Sequence, residues 1–99
     1  MESFVYFLDM FIPVDLTPKE VADSFKEDEL KPFELVREIV ERELEGIRSV
    51  ELLGSFSRKD ELLIEYLVNF SGGQLTVKIL CSDSPRKLLI DYYQKITST

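Results

Sequence analysis

Residues 62–81 carry the pattern that most constrains the fold. Leu62, Ile64, Tyr66, Val68 and Phe70 alternate, and after Ser71-Gly72-Gly73-Gln74 the alternation resumes through Leu75, Val77, Ile79 and Cys81. Successive side chains of an extended chain point to opposite faces, so each run is a strand with one continuous apolar face. The paired glycines accept the positive φ that a tight hairpin turn requires. Thr76 and Lys78 point away from this face, as do Glu65 and Asn69, with Leu63 and Leu67 between them. A third strand precedes these two over Ile47–Phe56, joined to them through the turn Ser57-Arg58-Lys59-Asp60. Val50, Leu52 and Phe56 share one of its faces, and Gly54 marks a bulge or a close approach. Residues 47–81 therefore form an antiparallel meander whose apolar face must be covered.

The flanking segments supply the cover. Phe4 to Val14 is rich in β-formers and apolar on both alternation sets: Phe4, Tyr6, Leu8, Met10 and Ile12 on one side, Val5, Phe7 and Phe11 on the other, with Asp9 the exception. Read as one strand, it is either central under two layers or part of a subunit contact. Thr17-Pro18-Lys19-Glu20 starts a helix: Thr17 caps, Pro18 suits the first helical position and Glu20 completes a capping box. Val21, Ala22 and Phe25 give that helix, over about residues 18–28, its apolar stripe before Pro32 interrupts it. A second helix runs from Pro32 on the stripe Phe33, Val36, Ile39, Val40 and Leu44, widened by Leu35, and ends at Gly46. Ser84-Pro85 opens a last helix with the core stripe Leu88, Leu89, Tyr92 and Ile96, leaving Thr97-Ser98-Thr99 as a frayed tail.

The order β-α-α-β-β-β-α over 99 residues, without repeat, linker or low-complexity tract, predicts a single α+β domain. The expected architecture is a two-layer sandwich, a mostly antiparallel four-stranded sheet with helices on one face. A chain this size has a thin stability margin that oligomerisation would widen.

Composition removes several chemistries. There is no histidine, so His-based acid–base catalysis, Ser-His-Asp and Cys-His arrangements and the commonest zinc ligand are all missing. The single cysteine, Cys81, cannot form an internal disulfide; on an apolar face with no base beside it, it reads as a small buried hydrophobe. The carboxylates of Glu27-Asp28-Glu29, Glu34, Glu38, Glu41, Glu43 and Glu45 do not follow a calcium-loop frame and read as solvated helix surface. Ser71-Gly72-Gly73 lacks the lysine and following helix of a phosphate loop. Asp9, inside an apolar run, is the one carboxyl in a suggestive place: facing the core, its pKa would rise, as carboxyls used in acid–base work often do; the alternatives are an edge or solvent-facing position, or a pairing with a basic residue across the sheet. The tyrosines Tyr6, Tyr66, Tyr92 and Tyr93 read as core or interface residues with polar tips. No cofactor and no metal site is expected.

Charge is asymmetric. Residues 1–45 hold 13 acids and 5 bases, net −8; residues 46–99 hold 6 acids and 7 bases, net +1. A net −7 chain repels nucleic-acid backbones and anionic membranes, and the basic residues Arg58, Lys59, Arg86 and Lys87 are too few to overturn that. No apolar run is long enough to span a bilayer. The apolar start lacks the basic flank and cleavage site of an export signal, so a cytoplasmic location is expected. One Asn and two Gln against abundant Glu and Lys is the lean of thermostable proteins, and would suit an archaeal host or a virus of one.

The run Ile12-Pro13-Val14-Asp15-Leu16-Thr17-Pro18 after an apolar strand resembles the opening of muconolactone-isomerase-type ferredoxin-like domains. The resemblance covers under a quarter of the chain. That fold ends in a strand, whereas this chain ends in a helix, so no residue role is carried over.

The sequence therefore points first to a small acidic interaction protein without catalytic activity, a homodimer, with Phe4, Tyr6 and Asp9 on the contacting strand. A second expectation is a regulatory, inhibitor or nucleic-acid-mimic protein that offers Glu34, Glu38 and Glu41 to a basic partner. A third is a small ligand binder or enzyme using Asp9 and the tyrosines.

Overall fold

The computed structural model describes residues 2–17, 19–21 and 31–97. Its elements are β1 (Ser3–Phe7), β2 (Met10–Val14), α1 (Lys31–Glu41), β3 (Ser49–Arg58), β4 (Glu61–Phe70), β5 (Gly73–Cys81) and α2 (Pro85–Thr97), with residues 19–21 also helical. The strands form one antiparallel sheet in the order β2-β1-β5-β4-β3. The α+β class and the meander stand; the sheet has five strands where four were expected.

The fifth strand comes from the apolar start, which is a hairpin and not one long strand. Leu8 and Asp9 have φ of 49° and 59°, and Phe7 pairs with Met10. Two consecutive left-handed residues in a two-residue loop make the turn whose twist matches that of the strands. Asp tolerates this region; Leu8 does so at a cost of roughly 1–2 kcal/mol. The turn also resets the alternation. Val5 and Phe7 on β1, with Ile12 and Val14 on β2, belong to one core, while Tyr6 and Phe11 belong to the other. Pro13 lies on an edge strand, where its missing N–H costs the sheet nothing.

The sheet is covered on both faces, where one was expected. On the first face Val5, Phe7, Ile64, Tyr66, Val68, Val77, Ile79 and Cys81 pack with Val21, with Ile39 and Val40 of α1, and with Leu44. On the second face Leu63 and Leu80 pack under Leu88, Leu89 and Tyr92 of α2, with Tyr6, Phe11 and Phe56 at the margins. Leu63 and Leu80 are fully buried, and each core residue of this kind adds about 1.5–3 kcal/mol. Two apolar residues on the supposedly outer face are what call for a second layer.

The bulge anticipated at Gly54 is present, as a register shift between Leu52 and Gly54. It adds Leu53 and changes the parity of β3. Leu52 lies opposite Tyr66 of the first face, but Phe56 lies opposite Leu63 of the second, so Val50, Leu52 and Phe56 do not share a face.

The helix signals have mixed outcomes. The capping box forms: the Glu20 amide donates to Thr17 Oγ1 at 3.1 Å and the Thr17 amide to Glu20 at 3.4 Å. Pro18, Ala22, Phe25, the end of that first helix and the 98–99 tail lie outside the described residues, as do the side chains of Phe33, Leu35 and Val36. α1 ends at Glu41, short of Gly46, with Glu43 and Leu44 amides both donating to the Val40 carbonyl. Gly46 has a φ of 69° and sits so close to Ser71 that any Cβ would collide with the Ser71 hydroxyl. Its role is close approach to the β4–β5 turn. α2 starts as expected, with the Leu88 amide bonded to the Ser84 carbonyl, but Ile96 is exposed and not in the stripe.

Candidate functional site

The second face carries the polar chemistry. Pairing registers place Phe11, Tyr6, Lys78, Glu65 and Gly54 in one row across all five strands. This row runs aromatic, aromatic, cation, anion, gap. Lys78 is 1% exposed despite its charge, because α2 lies over it. A buried ammonium needs an anion and full hydrogen bonding. Here Glu65 stands 3.3 Å from Nζ, Thr76 Oγ1 accepts from it at 2.9 Å, and the Tyr6 and Tyr93 rings lie 5.8 and 5.2 Å away. Tyr92 on α2 donates its hydroxyl to the other Glu65 oxygen at 2.9 Å.

The two ends of α2 are fastened alike. Arg86 lies over the Phe11 ring of β2 at 4.9 Å, and Lys95 over the Phe56 ring of β3 at 4.8 Å. The helix thus crosses the sheet diagonally from one edge strand to the other. Arg58 at the end of β3 pairs with Glu61 at 2.9 Å and with Asp91 of α2. The Ser82 hydroxyl donates to Glu61, and this bond, followed by Arg58, holds the Glu61 carboxyl below its usual range.

A groove flanks the helix on each side. The one toward β3, of about 350 Å³, is lined by Gly54, Ser55, Phe56, Tyr92, Lys95 and Ile96. The one toward the β1–β2 hairpin, of about 330 Å³, is lined by Tyr6, Asp9, Phe11, Arg86, Leu89 and Ile90. Both have apolar walls and, among the described residues, one cation each; the hairpin groove also carries the Asp9 carboxylate beside Arg86.

The structure separates the residues singled out from sequence into two sets. Phe4, Tyr6 and Asp9 are all on the β1–β2 hairpin. Phe4 meets Phe11 edge-on at 6.3 Å, and the Tyr6 hydroxyl donates to Asp9 at 3.0 Å. Asp9 is exposed in the turn and does not lie within a strand. Glu34, Glu38 and Glu41 are exposed on α1, which packs on the opposite face of the sheet; Glu41 pairs with Arg37 at 2.9 Å and Glu38 with Arg42 at 4.0 Å. Cys81 is buried with Ser3, and burial pushes its thiol up. Sequence reasoning missed the Lys78–Glu65–Tyr92 cluster. The signal available was a lysine in the middle of the strand that the apolar pattern makes most central.

Among the described residues no helix is long and apolar enough to cross a membrane. No family model, curated protein or solved structure matches the chain.

Proposed function

We propose that this chain is a small cytoplasmic interaction protein without a catalytic site, working as a homodimer. The observation that carries this reading is the exposed apolar surface beside α2. Ile90, Tyr93 and Ile96 recur every three residues along the helix, and Leu53 stands out from β3. One helix, about 10 Å across, shields about two strands, while five strands span roughly 20 Å. The flanks of the second face are therefore thinly covered, and apolar patches of this kind mark interaction sites. The first strand, expected to be apolar on two sides, is half of a hairpin whose Val5 and Phe7 are buried in one core and whose Tyr6 and Phe11 pack at the margin of the other, so it does not by itself call for a dimer. Sedimentation of the full chain across the micromolar range is expected to give a dimer; a monomer throughout overturns the reading.

A second reading is a regulatory or inhibitor protein that mimics nucleic acid toward a basic partner. It is supported by the exposure of Glu34, Glu38 and Glu41 in the half of the chain with net −8. Their pairing with Arg37 and Arg42 tempers the field they present.

A further inference from the structure

We propose that the dimer forms edge to edge through β3, with Leu53 of each copy seated in the Gly54 groove of the other; this rests on the homodimer reading. The two edges of the sheet differ in what they offer. β2 has five residues and contains Pro13, both of which discourage pairing. β3 has ten residues and no proline, and exposes Leu52 and Leu53 at 44% and 50%. An exposed edge strand of this length invites another strand; the bulge between Leu52 and Gly54 interrupts regular ladder pairing at that point, so the contact there is made by side chains.

Gly54 gives the edge its shape. A glycine in a strand costs roughly 0.5–1 kcal/mol and needs a reason. Backbone conformation is not the reason, since its φ is not positive. Internal crowding is not the reason either, since a Cβ built there meets nothing within 4 Å. What the missing side chain leaves is the open floor of the groove between β3 and α2, walled by Phe56, Tyr92 and Ile96. The residue preceding this floor is the exposed leucine added by the bulge. Knob and hole thus adjoin on one strand. A two-fold axis between two antiparallel β3 strands brings each knob to the other copy's hole, the self-complementary arrangement a symmetric dimer requires.

Charge selects the same occupant. Glu51 is the only acid on β3 and is exposed two residues before the knob. Among the described residues, Lys95 is the cation lining the groove. Antiparallel pairing carries Glu51 past the floor of the neighbour's groove to the side where Lys95 lies over Phe56.

Charge reversal across this contact tests the proposal. Dimer dissociation is measured by sedimentation for the wild type, Glu51→Lys, Lys95→Glu and the two combined, with circular dichroism confirming the fold. Each single reversal is expected to weaken the dimer at least tenfold, and the combination to restore most of that loss. Gly54→Leu, which has room within the monomer, fills the hole and is expected to weaken the dimer as strongly. A wild-type dimer unaffected by the single reversals and by Gly54→Leu overturns the β3 contact and leaves the homodimer reading standing, as does a combination no tighter than the singles. A wild-type monomer overturns both.

Discussion

At the scale of single residues, the titrating groups set the limits of stability at the two ends of the pH range. Burial pushes the Tyr66 phenol from 10.0 to about 12, and burial together with its bond to Glu65 pushes Tyr92 to about 12. A raised folded-state pKa means that the folded protein prefers the neutral phenol. The stability this represents is complete below pH 10 and is lost as pH rises toward 12. Glu61 works in the other direction. The Ser82 hydroxyl and Arg58 lower its pKa from 4.5, so its contribution is complete above the ordinary carboxylate range and is lost as pH falls through the lowered value. No histidine titrates between these limits. Chemical denaturation is therefore expected to show a flat stability plateau across neutral pH, with an alkaline decline to which the buried Cys81 thiol contributes first and the Tyr66 and Tyr92 phenols next. A decline already under way below about pH 8, or phenolate absorbance from Tyr66 and Tyr92 in a Tyr6→Phe/Tyr93→Phe variant before unfolding, contradicts the assignment.

At the scale of elements, the attachment of α2 differs from that of α1. Among the described residues the core of the first face holds no charged side chain, whereas α2 closes over a buried ion pair. Taking Lys78 and Glu65 out of water costs several kcal/mol per ion, which their attraction and hydrogen bonds do little more than offset. Two outcomes follow, of opposite sign. Lys78→Ala strands the Glu65 carboxylate and is expected to destabilise by about 3–5 kcal/mol. Lys78→Met with Glu65→Leu and Tyr92→Phe, which removes the charges and the hydroxyl that would lose its acceptor, is expected to match or exceed wild-type stability. Hydrogen exchange gives a second readout, since slower exchange in α2 of the apolar variant would locate the gain in that helix. A triple variant as unstable as Lys78→Ala would show that the pair itself holds the helix down.

At the scale of the whole molecule, what could be read from the chain depended on whether an element was local. The β3–β4–β5 meander, the Thr17–Glu20 box and the start of α2 are set by neighbours in sequence, and all were legible. The hairpin within 3–14 was not, because both of its strands are apolar and Leu8 is a poor marker for a left-handed turn. Two signals were nonetheless present: an eleven-residue run is long for a strand, and Asp9 lies at its middle. The face chosen by α2 was hidden for a different reason. It depends on Lys78 being buried by a helix from elsewhere, and periodicity reads a lysine as solvent-facing. The Gly54 groove, too, depends on α2 lying beside β3. Charge is a further global property that no element reveals. The exposed pairs Arg37–Glu41 and Glu38–Arg42 add only about 0.3–0.5 kcal/mol each, and salt weakens them. Against them stands the self-repulsion of a net −7 chain whose residues 1–45 carry −8. At low ionic strength the screening length exceeds the spacing of these acids, and at physiological salt it falls to about 8 Å. Repulsion summed over the acidic half outweighs two surface pairs, so thermal unfolding is expected to shift upward by a few degrees, roughly, between low and physiological salt. A downward shift would mean that the ion pairs, with the Arg58–Asp91 contact among them, outweigh the repulsion.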